Sequence, residues 1–145
     1  MGHETLKWSE DLACGIKIID EQHRGLLDMI NDMLSHVSGD DAQEADYFGK
    51  MVDKAVDYTQ VHFGTEEDIM EKAGFDGFKD HKKAHDAFII AVLDNIWAFQ
   101  NEKRINLEGF STFLKDWVLT HIAVMDKQYF SYFKENPGLL QKLNL

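Results

Sequence analysis

His81-Lys82-Lys83-Ala84-His85 sets two imidazoles four residues apart inside a segment whose apolar residues recur at helical spacing. On a helix, positions i and i+4 lie one turn apart on the same face, so both rings can converge on one metal ion. Phe88, Val92, Ile96 and Phe99 continue that face as an apolar stripe, which turns the two histidines toward a core. A single histidine on an apolar face is ordinarily a hydrogen-bonded core residue. A pair at ligand spacing carries more meaning when other segments supply matching ligands, and three of them do.

Upstream, a helix is expected from Asp20, whose carboxylate can cap the free N–H groups of the first turn. His23, Leu26, Leu27, Ile30, Met33, Leu34 and Val37 then recur at steps of three and four. His36 falls off this face and is expected to be exposed and outside the site. After the turn signal Ser38-Gly39-Asp40-Asp41, a second stripe runs through Phe48, Met51, Val52, Ala55, Thr59, His62, Glu66, Ile69 and Met70. His62 and Glu66 are again i and i+4. A glutamate on an apolar face is costly unless it faces a cation or is protonated. Glu67 projects about 100° away and is expected to be a surface charge.

Ala73-Gly74-Phe75-Asp76-Gly77 reads as a connection, and the anchor pair lies near the start of a third helix, from about Phe78 to Asn101. After Glu102-Lys103-Arg104, Asn106 can cap a fourth helix with the stripe Leu107, Phe110, Leu114, Trp117, Val118, His121 and Met125. Asp126 lies one residue beyond. Tyr129, Phe130, Tyr132 and Phe133 read as core packing, and after the break at Asn136-Pro137-Gly138 a short C-terminal helix is expected within Leu139 to Leu145.

The expected fold is all-α: an up-down-up-down four-helix bundle with an N-terminal arm and a short C-terminal helix. Residues 1–145 form one domain in this reading, divided into an arm (1–19), the bundle (20–133) and a tail (134–145). Cys14 is the only cysteine, so no intrachain disulfide can form, and inert packing is its expected role. The net charge of −11, with basic residues scattered, argues against nucleic acid and anionic membrane as partners. No apolar h-region opens the chain, and the longest apolar run, Ala87 to Leu93, falls far short of the roughly 20 residues a membrane helix needs. A cytoplasmic location is expected.

With alternating helix directions, His23, His62, Glu66, His81, His85, His121 and Asp126 all fall at one end of the bundle. Five imidazoles and two carboxylates exceed what one tetrahedral zinc can use and suit two octahedral or near-octahedral ions bridged by carboxylates. The spacing from His121 to Asp126 is i+5, off a shared α-helical face. Either the two side chains lean in from two sides of the stripe, or a π-bulge realigns them.

The motifs Ile19-Asp20-Glu21-Gln22-His23, His62-Phe63 followed by Glu66-Glu67, His81-x3-His85, and Trp117-x3-His121-Ile122 followed by Asp126 resemble the hemerythrin family in its bacterial branch, along essentially the whole chain. The chain departs where the family commonly has a Tyr-Pro pair and this sequence has Phe75-Asp76. The resemblance implies two non-heme iron ions, bridged by carboxylates and by a solvent-derived oxo or hydroxo group, and reversible O2 binding. By position, His81, His85 and His121 would hold one iron, His23 and His62 the other, with Glu66 and Asp126 bridging. The iron with fewer imidazoles would keep an open position for O2. Leu26, Phe63, Trp117, Val118 and Ile122 flank the ligand positions and are expected to line a dry O2 pocket.

The leading expectation is therefore a non-enzymatic O2-binding protein for carriage, storage or delivery. An O2 or redox sensor that signals to a protein partner or a fused domain is the alternative. A di-iron oxidase or peroxidase ranks below both, because ferritin-like di-iron enzymes use more carboxylates and no general acid stands out.

Overall fold

A computed structural model describes residues 6–102 and 105–145. Residues 1–5 of the expected arm and 103–104 of the third expected connection lie outside the described residues. The helices are α1 (Lys17–Ser35), α2 (Asp41–Ala73), α3 (Phe78–Glu102), α4 (Leu107–Thr120), α5 (Lys127–Glu135) and α6 (Gly138–Lys142). A π-helical turn, His121–Asp126, joins α4 to α5 without a break, so the three together make the fourth rod of the bundle. No strand occurs among the described residues. The architecture is the four-helix bundle that the periodicity predicts.

One of the two expected caps forms: Asn106 accepts from Gly109 N at 2.9 Å and starts α4. Asp40, in the expected turn, also caps, accepting from Gln43 N at 3.1 Å at the start of α2. The cap expected at Asp20 does not form. α1 begins three residues earlier than expected, after Ile16, which provides no side-chain cap. Asp20 lies inside the first turn, and its carboxylate accepts instead from the backbone N–H groups of Cys14 (2.9 Å) and Gly15 (3.2 Å). It pins the arm to the helix rather than starting the helix.

α2 ends at Gly74, which takes the left-handed conformation (φ 70°) while Phe75 N–H bonds back to Met70 O at 3.0 Å. Glycine is the residue that adopts this conformation without a Cβ penalty. Phe75, standing where a Tyr-Pro pair is common, then packs its ring on Tyr129 and Tyr132.

α1 packs against α2 and α4, and α2 against α3. Stacking of Phe88 on Trp117, with centroids 3.9 Å apart, closes the ring between α3 and α4. The interior has two apolar clusters. The larger includes Leu34, Phe48, Val92 and Phe110, with Phe48 fully buried and edge-on to Phe99 and Phe110. Burying a side chain of that size contributes about 1.5–3 kcal/mol. The smaller cluster gathers Ile16, Ile19, Met70, Tyr129 and Phe133 at the other end. Along α1, His23 falls between Ile19 of the smaller cluster and Leu27 of the larger, so a polar layer separates the two.

Candidate metal centre

All seven residues expected as ligands are buried, and Glu66 and Asp126 have no exposure at all. The π turn explains Asp126: an i→i+5 ring stacks a residue over the one five positions earlier, so Asp126 comes onto the His121 side of the rod. Asp126 Oδ1 lies 3.0 Å from His121 Nε2 and 3.1 Å from His81 Nε2. Its other oxygen, Oδ2, lies 3.1 Å from His23 Nε2. Glu66 has Oε1 at 2.6 Å from His62 Nε2 and Oε2 at 3.9 Å from His81 Nε2. Asp126 thus shows one oxygen to each histidine group, whereas Glu66 Oε1 also lies 4.0 Å from His85 Nε2, so Glu66 reaches both groups without dividing its oxygens cleanly between them.

The donor atoms form two sets with mutual distances within 4.8 Å: Glu66, His81, His85 and His121, and Glu66, His23 and His62. In the first, His121 Nε2 is 3.0 Å from both His85 Nε2 and His81 Nε2.

Polar partners on the outside of the layer orient two of the rings. His62 Nδ1 donates to Gln22 Oε1 at 2.7 Å, and His85 Nδ1 donates to Glu67 Oε2 at 2.8 Å. With the proton on Nδ1, each Nε2 turns a lone pair inward. The His62 lone pair then faces a carboxylate oxygen at 2.6 Å, acceptor against acceptor, which is repulsive without a cation between them. The same frustration appears in four buried atoms that face the layer and have no hydrogen bond: His23 Nε2, Glu66 Oε1 and both oxygens of Asp126. His23 Nε2 and Asp126 Oδ2 are close, yet they are not aligned to bond each other. Buried acceptors aimed at common points fit bound cations.

The electrostatics agree. Burial resists charge on His85 and, with the neighbouring His121 and His81, pushes its pKa down to about 3, so the ring stays a neutral donor. Burial also resists charge on His23, but Asp126 and Glu66 outweigh it and lift its pKa to about 9. Burial opposes ionisation of Glu66 and Asp126 too, and the surrounding histidines overcome it, holding both well below the usual carboxylate range. A metal cation at this point would take the place of the proton that these carboxylates draw onto His23.

Tyr129 donates its hydroxyl to Glu66 Oε2, fixing that carboxylate from the side of the smaller apolar cluster. Tyr129, Gln22 and Glu67 escaped the sequence reading as site residues. Tyr129 was expected only to pack, and it does both. Glu67, expected at the surface, is half-buried under α3 because His85 reaches it across the α2–α3 crossing. Gln22 adjoins His23 in sequence but serves His62 on another helix. His36 is exposed, as expected, and stacks on Tyr47.

Above the polar layer lies an apolar cavity of about 40 Å³ whose walls include Leu26, Phe63, Phe88, Trp117 and Val118. Ile122 is buried in the same cluster but is not part of the wall. Phe63 stacks on His85 (3.8 Å, 2° between planes) and Trp117 on His121 (4.4 Å, 12°), so the cavity wall is in direct contact with the histidine layer.

Fold and donor set together define a class: a four-helix bundle carrying a buried histidine–carboxylate metal-binding layer. Comparison with known proteins narrows it. The hemerythrin HHE cation binding domain matches residues 14–133. A bacteriohemerythrin of Stenotrophomonas maltophilia (strain R551-3) is 39% identical over 124 residues, covering 86% of this chain and 78% of that protein. One from Pseudomonas aeruginosa (strain LESB58) is 33% identical over 137 residues, 94% of this chain and 87% of that protein. A crystal structure of wild-type hemerythrin superposes with a TM-score of 0.78 at 27% identity, over 88% of this chain and 97% of the other. The chain belongs to the hemerythrin family.

Proposed function

We propose that this protein binds O2 reversibly at a pair of non-heme iron ions, without turnover. His81, His85 and His121 hold one iron, His23 and His62 the other, and Glu66 and Asp126 bridge them. The observation that carries this reading is that buried Asp126 sets one oxygen against His81 and His121 and the other against His23, while buried Glu66 reaches histidines of both groups, with carboxylate oxygens left unpaired. Two ferrous ions together supply the two electrons that O2 binding borrows and its release returns.

The remaining work falls to the chain. Gln22 and Glu67 hold two rings in the tautomer that donates inward. Tyr129 keeps one oxygen of Glu66 engaged. The smaller number of imidazoles on the His23–His62 side leaves that side for O2. Leu26, Phe63, Trp117, Val118 and Ile122 keep water away, and the cavity gives a small apolar ligand a place to wait. Both carboxylates of the layer are held ionised, so neither is poised to hand a proton to bound O2, which favours release of O2 over its reduction.

A sensor reading has one observation in its favour: Leu6 and Trp8 of the arm pack against the apolar cluster that walls the cavity. Iron analysis tests the assignment of ligands. The protein is expected to carry two irons per chain, with His81→Ala and Asp126→Asn each losing one or both. Full iron retention by either variant contradicts the ligand set.

A further inference from the structure

We propose that the groove between α2 and α3 is a docking site for a basic amphipathic helix of a partner protein. The outward face of α3 carries Ile90, Leu93 and Trp97 at 61%, 47% and 63% exposure, spaced as one helical row. Large apolar side chains left in a contiguous row mark interaction surfaces more often than chance exposure. The row borders two successive concavities along the α2–α3 seam, one lined by Asp53, Asp57, Leu93 and Trp97 and the next by Glu67, Asp86 and Ile90, which we take together as the groove. It runs from Asp86 to Gln100 along α3, about 21 Å at the helical rise, or some four turns of a docked helix.

Charge selects the occupant. Four carboxylates line the groove, and no lysine or arginine does. Glu67 and Asp86 share one cation, Lys82, at 3.7 and 3.2 Å. Among the described residues Asp53 and Asp57 make no ion pair, and Lys50 on the same helix is engaged by Asp46 at 2.9 Å. A second copy of this chain would bring the same carboxylates and a net charge of −11 against them. An anionic membrane or nucleic acid meets the same repulsion. A helix with apolar residues at i, i+3 or i+4, and i+7 covers the Ile90–Leu93–Trp97 row, while its lysines or arginines reach the acidic rim. Glu67 at one end also accepts from His85 Nδ1, which puts the groove one side chain from the metal layer.

The test uses the iron-loaded protein and a synthetic Leu/Lys amphipathic peptide of about 15 residues, enough to span the groove, with a Leu/Glu twin as control. Trp97 reports directly, because it is exposed while Trp8 and Trp117 pack against the core. The Leu/Lys peptide is expected to blue-shift the fluorescence. Calorimetry is expected to show Kd about tenfold or more weaker for Asp53→Asn/Asp57→Asn and for Trp97→Ala, as for loss of a charge pair or an aromatic anchor. Glu108→Gln/Asp116→Asn, which removes the same charge from exposed positions on α4, is expected to stay within about twofold, as rim charges remote from a contact do. Equal weakening by both double variants shows unspecific charge attraction and overturns the proposal. So does binding of the Leu/Glu peptide, absence of Leu/Lys binding, or a concentration-dependent dimer in sedimentation that Trp97→Ala abolishes.

Discussion

Removing the acceptor behind His85 is a sharp way to probe the centre without touching a ligand. In Glu67→Ala the His85 Nδ1–H, now bonded at 2.8 Å, loses its partner in a ring that is 1% exposed. Leaving a buried donor unpaired costs about 1–3 kcal/mol. In the metal-free protein the ring can escape that cost by changing tautomer or turning. With metal on Nε2 it cannot, so the penalty falls on metal binding. Loss of a partner behind a metal-bound histidine typically weakens metal affinity by about 10–100-fold, roughly 1.4–2.7 kcal/mol. Glu67 is 20% exposed, so water relieves part of the loss and the lower half of that range is expected. Glu67→Gln keeps an oxygen acceptor and is expected to recover most of the affinity. Competition with a chromophoric chelator under anaerobic conditions measures both. An alanine variant within about twofold of the parent, or a glutamine variant as weak as the alanine one, refutes an orienting role, whose loss is expected to cost about tenfold or more in affinity.

Three further outcomes follow from the geometry. A Cβ on Gly25 would lie 1.9 Å from Tyr58 Oη, whose hydroxyl donates to Gln22 O at 3.0 Å. Gly25→Ala is therefore expected to lower stability by about 1 kcal/mol, overpacking outweighing the helix propensity it adds; in a Tyr58→Ala background the same change is expected to stabilise, and denaturant melts of the four proteins give the sign. Burial pushes the Cys14 thiol well above its ordinary value of 9.0, with Asp20 adding to it. The folded chain keeps a proton that the unfolded chain loses, so stability falls as pH rises beyond about 9, a fall that Cys14→Ala reduces; alkylation of the native protein between pH 7 and 9 is expected to be far slower than that of the unfolded chain. Ile89 lines both the internal cavity and the α2–α3 groove. Ile89→Ala is expected to cost about 2 kcal/mol or less at this half-exposed position, to leave iron content unchanged, and to shorten the lifetime of the oxygenated colour in air.

The helices were legible because their apolar residues recur at three and four, and the depths of His23, His62, His81, His85 and His121 along their helices pointed to one layer. Asp126 was legible as a ligand only with a change of helical pitch, because i+5 leaves the shared face, and the π turn supplies that change. What lay hidden depends on how helices cross. Glu67 projects at an angle that reads as surface and Gln22 stood only as a neighbour of His23, and only the α2–α3 and α1–α2 contacts bring them to His85 and His62. The start of α1 was misplaced because an aspartate followed by an apolar stripe looks like a cap, whereas Asp20 satisfies the backbone of the preceding loop. The cavity is a property of packing, which no spacing rule reports: four of the five expected pocket residues reach its wall, and Ile122 packs beside it.

Reversible O2 binding is read from the visible spectrum of the iron-loaded protein, reduced without air, exposed to O2, and then stripped of O2 by inert gas. A charge-transfer band is expected to appear with one O2 per iron pair and to disappear on stripping, through repeated cycles. A band that fails to form, or a single irreversible conversion to the oxidised form, contradicts reversible O2 binding.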